Sequence, residues 1–294
     1  MTRDASGPAG AVRRHGVAAA PRAAAPGEAD GFPRLTEKIR AESGFVCASY
    51  KDGCLRRRIA VRMRARAVHT YDDYARVLDA DPGEWERLLD ALTINVTRLF
   101  RDAEAFAAVA RHVVPALWAA ERGPLRVWSA GCASGEEAYS LAALFHRHAV
   151  AVGEGPQVGR VQVLGSDIDR ASLAAAEAGR FPEHAFTDTP AELRARYFTG
   201  AGPATVSPDL RALVRFERRD LLHDSPPPGP HHLIACRNVL IYFDHQTQER
   251  LLVALRDALA PGGFLLLGRV EALLGEARHG LAMVVPRERI FRRS

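Results

Sequence analysis

Leu125-Arg126-Val127-Trp128-Ser129-Ala130-Gly131-Cys132-Ala133-Ser134-Gly135-Glu136-Glu137 is a short apolar run that breaks into a glycine loop and passes into a helical segment, 136–150. A strand that ends in two glycines four residues apart, just before a helix, lets backbone approach a ligand closely. Downstream, a second strand-like run, 160–165, leads into Asp167-Ile168-Asp169 and a helix through Ala178. His232-Leu233-Ile234-Ala235-Cys236 reads as a strand, 246–259 as a helix, and Gly263-Phe264-Leu265-Leu266-Leu267 as a strand after the Pro261-Gly262-Gly263 turn. Alternating strand, loop and helix predicts an α/β domain on a mostly parallel sheet. The Gly/Pro-rich stretch 197–219 interrupts the alternation and is expected to hold a small antiparallel β insertion.

Upstream the pattern is helical. Leu35 and Ile39, then Leu55, Ile59 and Met63, recur at spacings near four, and helices are predicted again over 71–78, 84–92 and 102–120. This predicts an all-α N-terminal domain over 32–101, a linker helix over 102–122 and the α/β domain over 123–294. Residues 1–31, made of Ala, Pro, Gly and Arg without apolar periodicity, are expected to be a disordered tail. In the 294-residue chain 47% of residues are hydrophobic and 26% charged, the profile of a soluble globular protein. No apolar run approaches the roughly 18 residues of a membrane span, and MTRDASGPAG lacks the apolar core of a secretory leader. Cys47, Cys54, Cys132 and Cys236 form no CxxC pair. A cytoplasmic location, no membrane insertion and no metal are expected.

The glycine loop is not a P-loop, because no Gly-Lys-Ser/Thr follows, nor is it G-x-G-x-x-G. Glu136-Glu137 at the helix start would repel a pyrophosphate and suit a cationic or hydroxyl-rich ligand; equally, they could serve only to complement the helix dipole. Asp167, just after the second strand, sits where a carboxylate accepts hydrogen bonds from both ribose hydroxyls, although an Asp at a strand end is more often a turn or cap residue. Together these features describe a nucleoside site with no phosphate requirement, and S-adenosylmethionine fits it. At the end of a later strand, 236–244 (CRNVLIYFD) sets polar and aromatic groups beside that site. For Phe243, core packing is the preferred reading.

On these residues the chain resembles the chemotaxis protein methyltransferase family. The matching stretches are 92–102, 126–141, 165–169, 236–244 and 261–271, in the family's order. The resemblance implies a Rossmann-like class I methyltransferase domain with a small inserted antiparallel β subdomain, preceded by the all-α domain. It implies transfer of a methyl group from S-adenosylmethionine to glutamates of a chemoreceptor, leaving S-adenosylhomocysteine. Cofactor contacts are implied for Asn95, Thr97, Arg101, Gly131, Glu136, Asp167, Asp220, Leu221, Arg237 and Asn238; Arg101 and Tyr242 are the catalytic candidates. A carboxylate is already ionised at neutral pH, so no general base is needed. Two departures stand out: Ala138 replaces a proline, and Gly268-Arg269-Val270-Glu271 replaces Gly-His-Ser-Glu. The second favours the alternative of a cofactor- and partner-binding module that transfers nothing. A nucleic-acid methyltransferase is a weaker alternative, since Arg-Asn-Val-Leu has none of the prolines of an Asn/Asp-Pro-Pro-aromatic motif.

The formal net charge is +5, yet residues 34–66 alone carry ten Lys/Arg against three acids, a local +7. A solvated helix face is the plain explanation of such a run. Within a receptor-facing helical domain, Arg58, Arg62 and Arg66 are expected to dock an acidic helix from the cytoplasmic region of a chemoreceptor. No nucleic-acid partner is expected, and the chain is expected to be a monomer.

Overall fold

The computed structural model describes residues 31–93, 97–200 and 202–294. The first four helices are α1 (Phe32–Ser43), α2 (Asp52–Ala65), α3 (Tyr71–Ala80) and α4 (Pro82–Leu92). Local sequence sets their ends. Gly44 closes α1 at φ +75°, a left-handed conformation that glycine enters without a Cβ penalty. Thr70 caps α3 by accepting from the Asp73 N–H, and Asp81 caps α4 by accepting from the Gly83 N–H, with Pro82 in the first turn. Each helix buries one stripe, and Leu35, Ile39, Leu55, Ile59, Tyr74, Leu78 and Leu88 meet in a single core. Phe45 packs into that core from beyond the end of α1.

The remaining elements, in chain order, are α5 (Ala103–Ala108), a π-helical turn (Val109–Val113), α6 (Val114–Ala120), β1 (Leu125–Ala130), α7 (Glu136–Ala151), β2 (Val161–Asp167), α8 (Arg170–Ala178), β3 (Arg180–Phe181), α9 (Ala191–Tyr197), β4 (Phe198–Thr199), β5 (Ala204–Val206), α10 (Pro208–Arg211), β6 (Val214–Arg218), β7 (His231–Cys236), α11 (His245–Ala258), β8 (Leu259–Leu267), β9 (Leu281–Val285) and β10 (Ile290–Arg293). The widened turn precedes Pro115, whose missing N–H removes a rung from the helical ladder.

Seven strands form one sheet in the order β6-β2-β1-β7-β8-β10-β9. The first five are parallel, and β10 runs antiparallel to both its neighbours. Alternation along each strand feeds two cores. Leu125 and Val127, Leu233 and Ala235, and Phe264 and Leu266 face one side; Trp128, Ile234, Cys236, Leu265 and Leu267 face the other. The strand order reverses between β1 and β7, and in open α/β sheets the carboxyl ends at such a reversal form the ligand crevice.

Two boundaries differ from the sequence-based expectation. The small antiparallel sheet is β3-β5-β4, drawn from residues 180–206, whereas 214–218 belongs to the main sheet as β6, paired in parallel with β2 from Val163↔Val214 to Asp167↔Arg218. The short run Val214-Arg215-Phe216-Glu217-Arg218 alternates like any edge strand, and only its long-range pairing assigns it. The stretch read as a linker helix packs into the core of the sheet domain: Phe106, Val109, Val113, Leu117 and Trp118 share one cluster with Val127 and Phe145. The tail over 1–30 and Asn95 lie outside the described residues.

Candidate active site

The cleft lies at the carboxyl ends of β1, β2 and β7 and is open to solvent. Its floor comes from the sheet domain. Gly131 sits at φ +78°, and a Cβ there would lie 2.5 Å from Val239 Cγ2. The residue is glycine because the loop after β1 and the loop after β7 touch at this point. The Gly131 and Cys132 N–H groups both donate to the Ser166 carbonyl, at 2.8 and 2.9 Å, which fixes that loop on β2.

Asp167 is nearly buried at the end of β2. Its Oδ2 accepts from the Ala133 N–H at 2.8 Å and its Oδ1 from the Asp169 N–H at 3.0 Å. Each oxygen keeps a further lone pair for a ligand hydroxyl. Burial pushes the carboxyl above its ordinary range, against the pull of these N–H donors.

The two adjacent glutamates diverge. Glu136 is absent from the cleft wall; it is buried and accepts from the Ser134 hydroxyl at 2.8 Å. Glu137 lines the cleft instead, with Oε1 accepting from the Ser129 hydroxyl at 2.8 Å and Oε2 receiving Arg237 Nη1 at 3.4 Å. A helical step of 100° separates their faces, and nothing in the Glu-Glu pair itself tells which one turns inward.

Arg237 lines the cleft, but its charge is engaged in structure. Nη2 donates to the Arg101 carbonyl at 2.8 Å and to Asp102 Oδ2 at 2.7 Å, and the guanidinium lies over the Phe106 ring. It therefore braces the segment that carries Arg101. That segment is strained: Phe100 and Asp102 both adopt positive φ, +55° and +60°. A bulky aromatic in this region costs on the order of 1–3 kcal/mol unless its surroundings hold it. The Phe100 N–H donates to the Ser140 hydroxyl at 2.9 Å, and its buried ring meets Phe106 edge-on at 5.4 Å. The Arg101 side chain, between these two residues, lines the cleft together with Thr97.

Asp220 and Leu221 form part of the wall. The Asp220 carboxylate also organises its own loop, accepting from the Leu222 N–H at 2.8 Å and meeting His223 Nδ1 at 2.6 Å. Asn238, at φ +59°, and Tyr242 complete the cleft. Burial raises the Tyr242 phenol, so it remains protonated at neutral pH. Phe243 also borders the cleft, yet it is 5% exposed and packs against Tyr50 with ring centroids 4.9 Å apart.

Tyr50, Leu92 and Thr93 bring the helical domain over the cleft; Leu92 and Thr93 open the 92–102 stretch, whereas no sequence motif announces Tyr50. A backbone clamp holds Tyr50 there. It forms an antiparallel bridge with Phe243, the Lys51 N–H donates to the Tyr242 carbonyl at 2.9 Å, and the Asp244 N–H donates to the Ser49 carbonyl at 3.1 Å. Lys51 Nζ adds a bond to the Ile241 carbonyl at 2.8 Å.

The expected docking arginines all have partners within the helical domain, and Arg66 among them is exposed. Arg62 forms a two-bond fork with Glu84, at 2.9 and 2.8 Å, and Glu84 is fully buried and also accepts from the Tyr74 hydroxyl at 2.8 Å. Arg66 pairs with Asp81 at 2.9 Å, and Arg58 donates to the Ala91 carbonyl at 2.8 Å and lies 5.5 Å from the Tyr242 ring. Arg57 and Arg64 on α2 are also exposed, with no ion pair among the described residues.

The cleft fits a nucleoside. Carboxylates Glu137, Asp167 and Asp220 border it beside Arg98, Arg101, Arg219 and Arg237, and Asp167, with lone pairs to spare, suits ribose hydroxyls. Among the described residues no group of His, Cys, Asp or Glu is placed to hold a metal ion, and no helix is long and apolar enough to cross a membrane.

Comparison with known proteins agrees with this geometry. Residues 95–287 match the family described as CheR methyltransferase, SAM binding domain, and residues 30–93 match CheR methyltransferase, all-alpha domain. A chemotaxis protein methyltransferase of Klebsiella aerogenes is 36% identical over 250 residues, covering 82% of each chain. Chemotaxis protein methyltransferase 2 of Pseudomonas aeruginosa is 35% identical over 248 residues, covering 82% of this chain and 86% of that one. An uncharacterized 104.1 kDa protein of Rhodobacter capsulatus is 36% identical over 266 residues; there the match spans 90% of this chain but only 27% of the larger protein.

Proposed function

The chain belongs to the CheR methyltransferase family, and from that premise we propose that Arg101 and Tyr242 hold a receptor glutamate in line with the methyl group of S-adenosylmethionine. The protein is an S-adenosylmethionine-dependent methyltransferase that esterifies glutamates of chemoreceptors. When bound, S-adenosylmethionine supplies an electrophilic methyl group on a positively charged sulfur. The carboxylate oxygen forms the new O–CH3 bond as the S–CH3 bond breaks, S-adenosylhomocysteine leaves neutral, and no proton moves.

The chain's own residues therefore bind, orient and exclude water. Asp167 receives the two ribose hydroxyls on its remaining lone pairs. Glu137 sets a negative charge in the wall beside the sulfonium position, and Gly131 keeps the floor open. Thr97, Asp220, Leu221 and Asn238 frame the rest of the cofactor, and Asn95 shares that role. Arg237 serves by bracing Arg101, and Glu136 supports the loop from behind. Arg101 offers a fork to the incoming carboxylate, and Tyr242, neutral and half-buried, packs against the transfer line. Alignment and desolvation of this kind can lower a barrier by up to about 7–11 kcal/mol in the best intramolecular cases.

The substrate segment is an acidic helix of the receptor's cytoplasmic region. On α2 the exposed Arg57 and Arg64 supply the charge that meets it, while Arg58, Arg62 and Arg66 hold the helix in place. The protein acts in the cytoplasm as a monomer without nucleic acid. The observation that carries this reading is the convergence, in one cleft, of Arg101, Asp167 and Tyr242 from three separate segments. The test is transfer of radiolabelled methyl from S-adenosylmethionine to a receptor cytoplasmic fragment. Base-labile label is the expected result, and absence of label from a folded, cofactor-binding protein overturns it.

A further inference from the structure

The turn that brings Asn238, Val239 and Tyr242 into the cleft follows β7 and lies outside the sheet ladder, so its N–H groups need partners elsewhere. The Tyr242 N–H donates to the Val239 carbonyl at 3.3 Å within the turn, whereas the Asn238, Val239 and Leu240 N–H groups share one side chain. Glu271 Oε2 accepts from the Gly268 N–H at 2.6 Å and the Asn238 N–H at 3.0 Å. Glu271 Oε1 accepts from the Val239 N–H at 3.0 Å and the Leu240 N–H at 2.8 Å. Glu271 is 4% exposed, and no cation pairs with it among the described residues. An ionised carboxylate offers about four acceptor sites and no donor, and here four N–H groups use them.

The surroundings are built for this contact. A Cβ on Gly268 would fall 2.7 Å from Glu271 Oε2 and 2.9 Å from the Asn238 nitrogen, so only glycine lets the end of β8 come this close to the turn. Arg269 anchors the same segment on two sides, to Glu104 at 2.9 Å in α5 and to the buried Glu288 at 3.2 Å ahead of β10. Val270 is 77% exposed. The departure at 269–270 thus leaves the Glu271 bracket whole.

We infer that Glu271 is a positioning residue for methyl transfer: its carboxylate, through four backbone N–H groups, fixes the left-handed turn at Asn238 and thereby the place of Tyr242 in the cleft. The inference rests on the role proposed above for Tyr242. A purely structural Glu271 would affect folding and all functions alike. A positioning Glu271 affects the transfer step, and only while Tyr242 is there to be positioned.

The experiment uses the full chain with a receptor fragment. Glu271→Gln keeps the shape but turns one oxygen into an N–H donor facing two N–H donors. Its kcat should fall at least ~10-fold, by more than the Kd for S-adenosylhomocysteine, read by calorimetry, rises. In a Tyr242→Ala background the same change should cost less than ~2-fold further, because contacts that act as a unit are non-additive. Glu271→Asp, which keeps the charge, should recover part of kcat. An unchanged kcat for Glu271→Gln, or an equal loss with and without Tyr242, overturns the inference. A wild-type protein that transfers no methyl overturns the proposed function instead. Amide exchange on the wild-type protein checks the bracket without any variant. Slow exchange at Gly268, Asn238, Val239 and Leu240 supports it, and random-coil exchange there overturns it.

Discussion

Two buried glutamates, one in each domain, meet their burial in opposite ways. Glu84, at the heart of the helical domain, answers to a guanidinium fork and a phenol. Glu271, beneath the cleft, answers to neutral backbone amides alone. Burial pushes the Glu84 carboxyl up, but Arg62 and Tyr74 outweigh it and hold it below its ordinary range. Burial keeps Glu271 above that range, as it does Glu137 and Asp167. The helical domain thus meets its buried carboxylate with a cation, whereas Glu271 is held by backbone dipoles alone.

The contrast can be broken most forcefully at Glu84. Glu84→Ala should strip Arg62 of its partner and cost about 3 kcal/mol, the lower end for breaking a buried ion pair because Arg62 keeps some solvent; thermal or urea unfolding reads this, and a change under 1 kcal/mol removes Glu84 from the centre of that domain. In the cleft, Asp167→Ala should weaken S-adenosylhomocysteine binding roughly 100-fold, the scale of two charge-assisted hydrogen bonds, and cost about 1–3 kcal/mol of stability because the Ala133 and Asp169 N–H groups lose their acceptor. Calorimetric binding within 5-fold of wild type would remove Asp167 from the ribose. Arg101→Ala should lower kcat about 10- to 30-fold while cofactor Kd moves less than ~3-fold, separating orientation from binding in steady-state and calorimetric measurements.

Acid should sharpen the comparison. The unfolded glutamate value is about 4.3. Glu84 lies below it when folded, so its stabilisation is present above that pH and is lost only as pH falls through the lower folded value. Asp167 and Glu137 lie above their unfolded values. They take up protons first, which favours the folded state but discharges the cleft. Cofactor affinity should therefore fall on acidification before the far-UV circular dichroism of the helices does; simultaneous loss of both would contradict the assignment. The smallest effect is expected at Arg66, whose partly exposed pair with Asp81 should be worth less than about 1 kcal/mol to Arg66→Ala.

How much could be read from sequence differs between the same two regions. The strand–glycine loop–helix run at 125–137, Asp167 and the 236–244 segment led directly to the sheet, the cofactor class and most of the cleft wall, because backbone demands leave local traces in residue type. Gly131 is such a trace. A charge count carries no direction: Arg62 and Arg66 pair with Glu84 and Asp81, partners that no spacing within 52–66 reports. Glu137 in place of Glu136 was lost to a single helical step. Val214–Arg218 was misplaced because edge strands are assigned by partners distant in the chain. Tyr50 was missed for the same reason, since its contact with Phe243 spans the two domains.

The clamp at Tyr50 and Lys51 ties the helical domain to the transfer site. Helix α2 starts at Asp52, one residue beyond the Lys51 N–H that holds the Tyr242 carbonyl. A load applied to α2 therefore reaches the transfer site through one peptide unit rather than through a chain of side-chain contacts. Occupancy on the helical domain and occupancy of the cleft then draw on a common free energy, and thermodynamic linkage makes that sharing mutual. By whatever factor a docked partner alters cofactor affinity, cofactor must alter partner affinity equally.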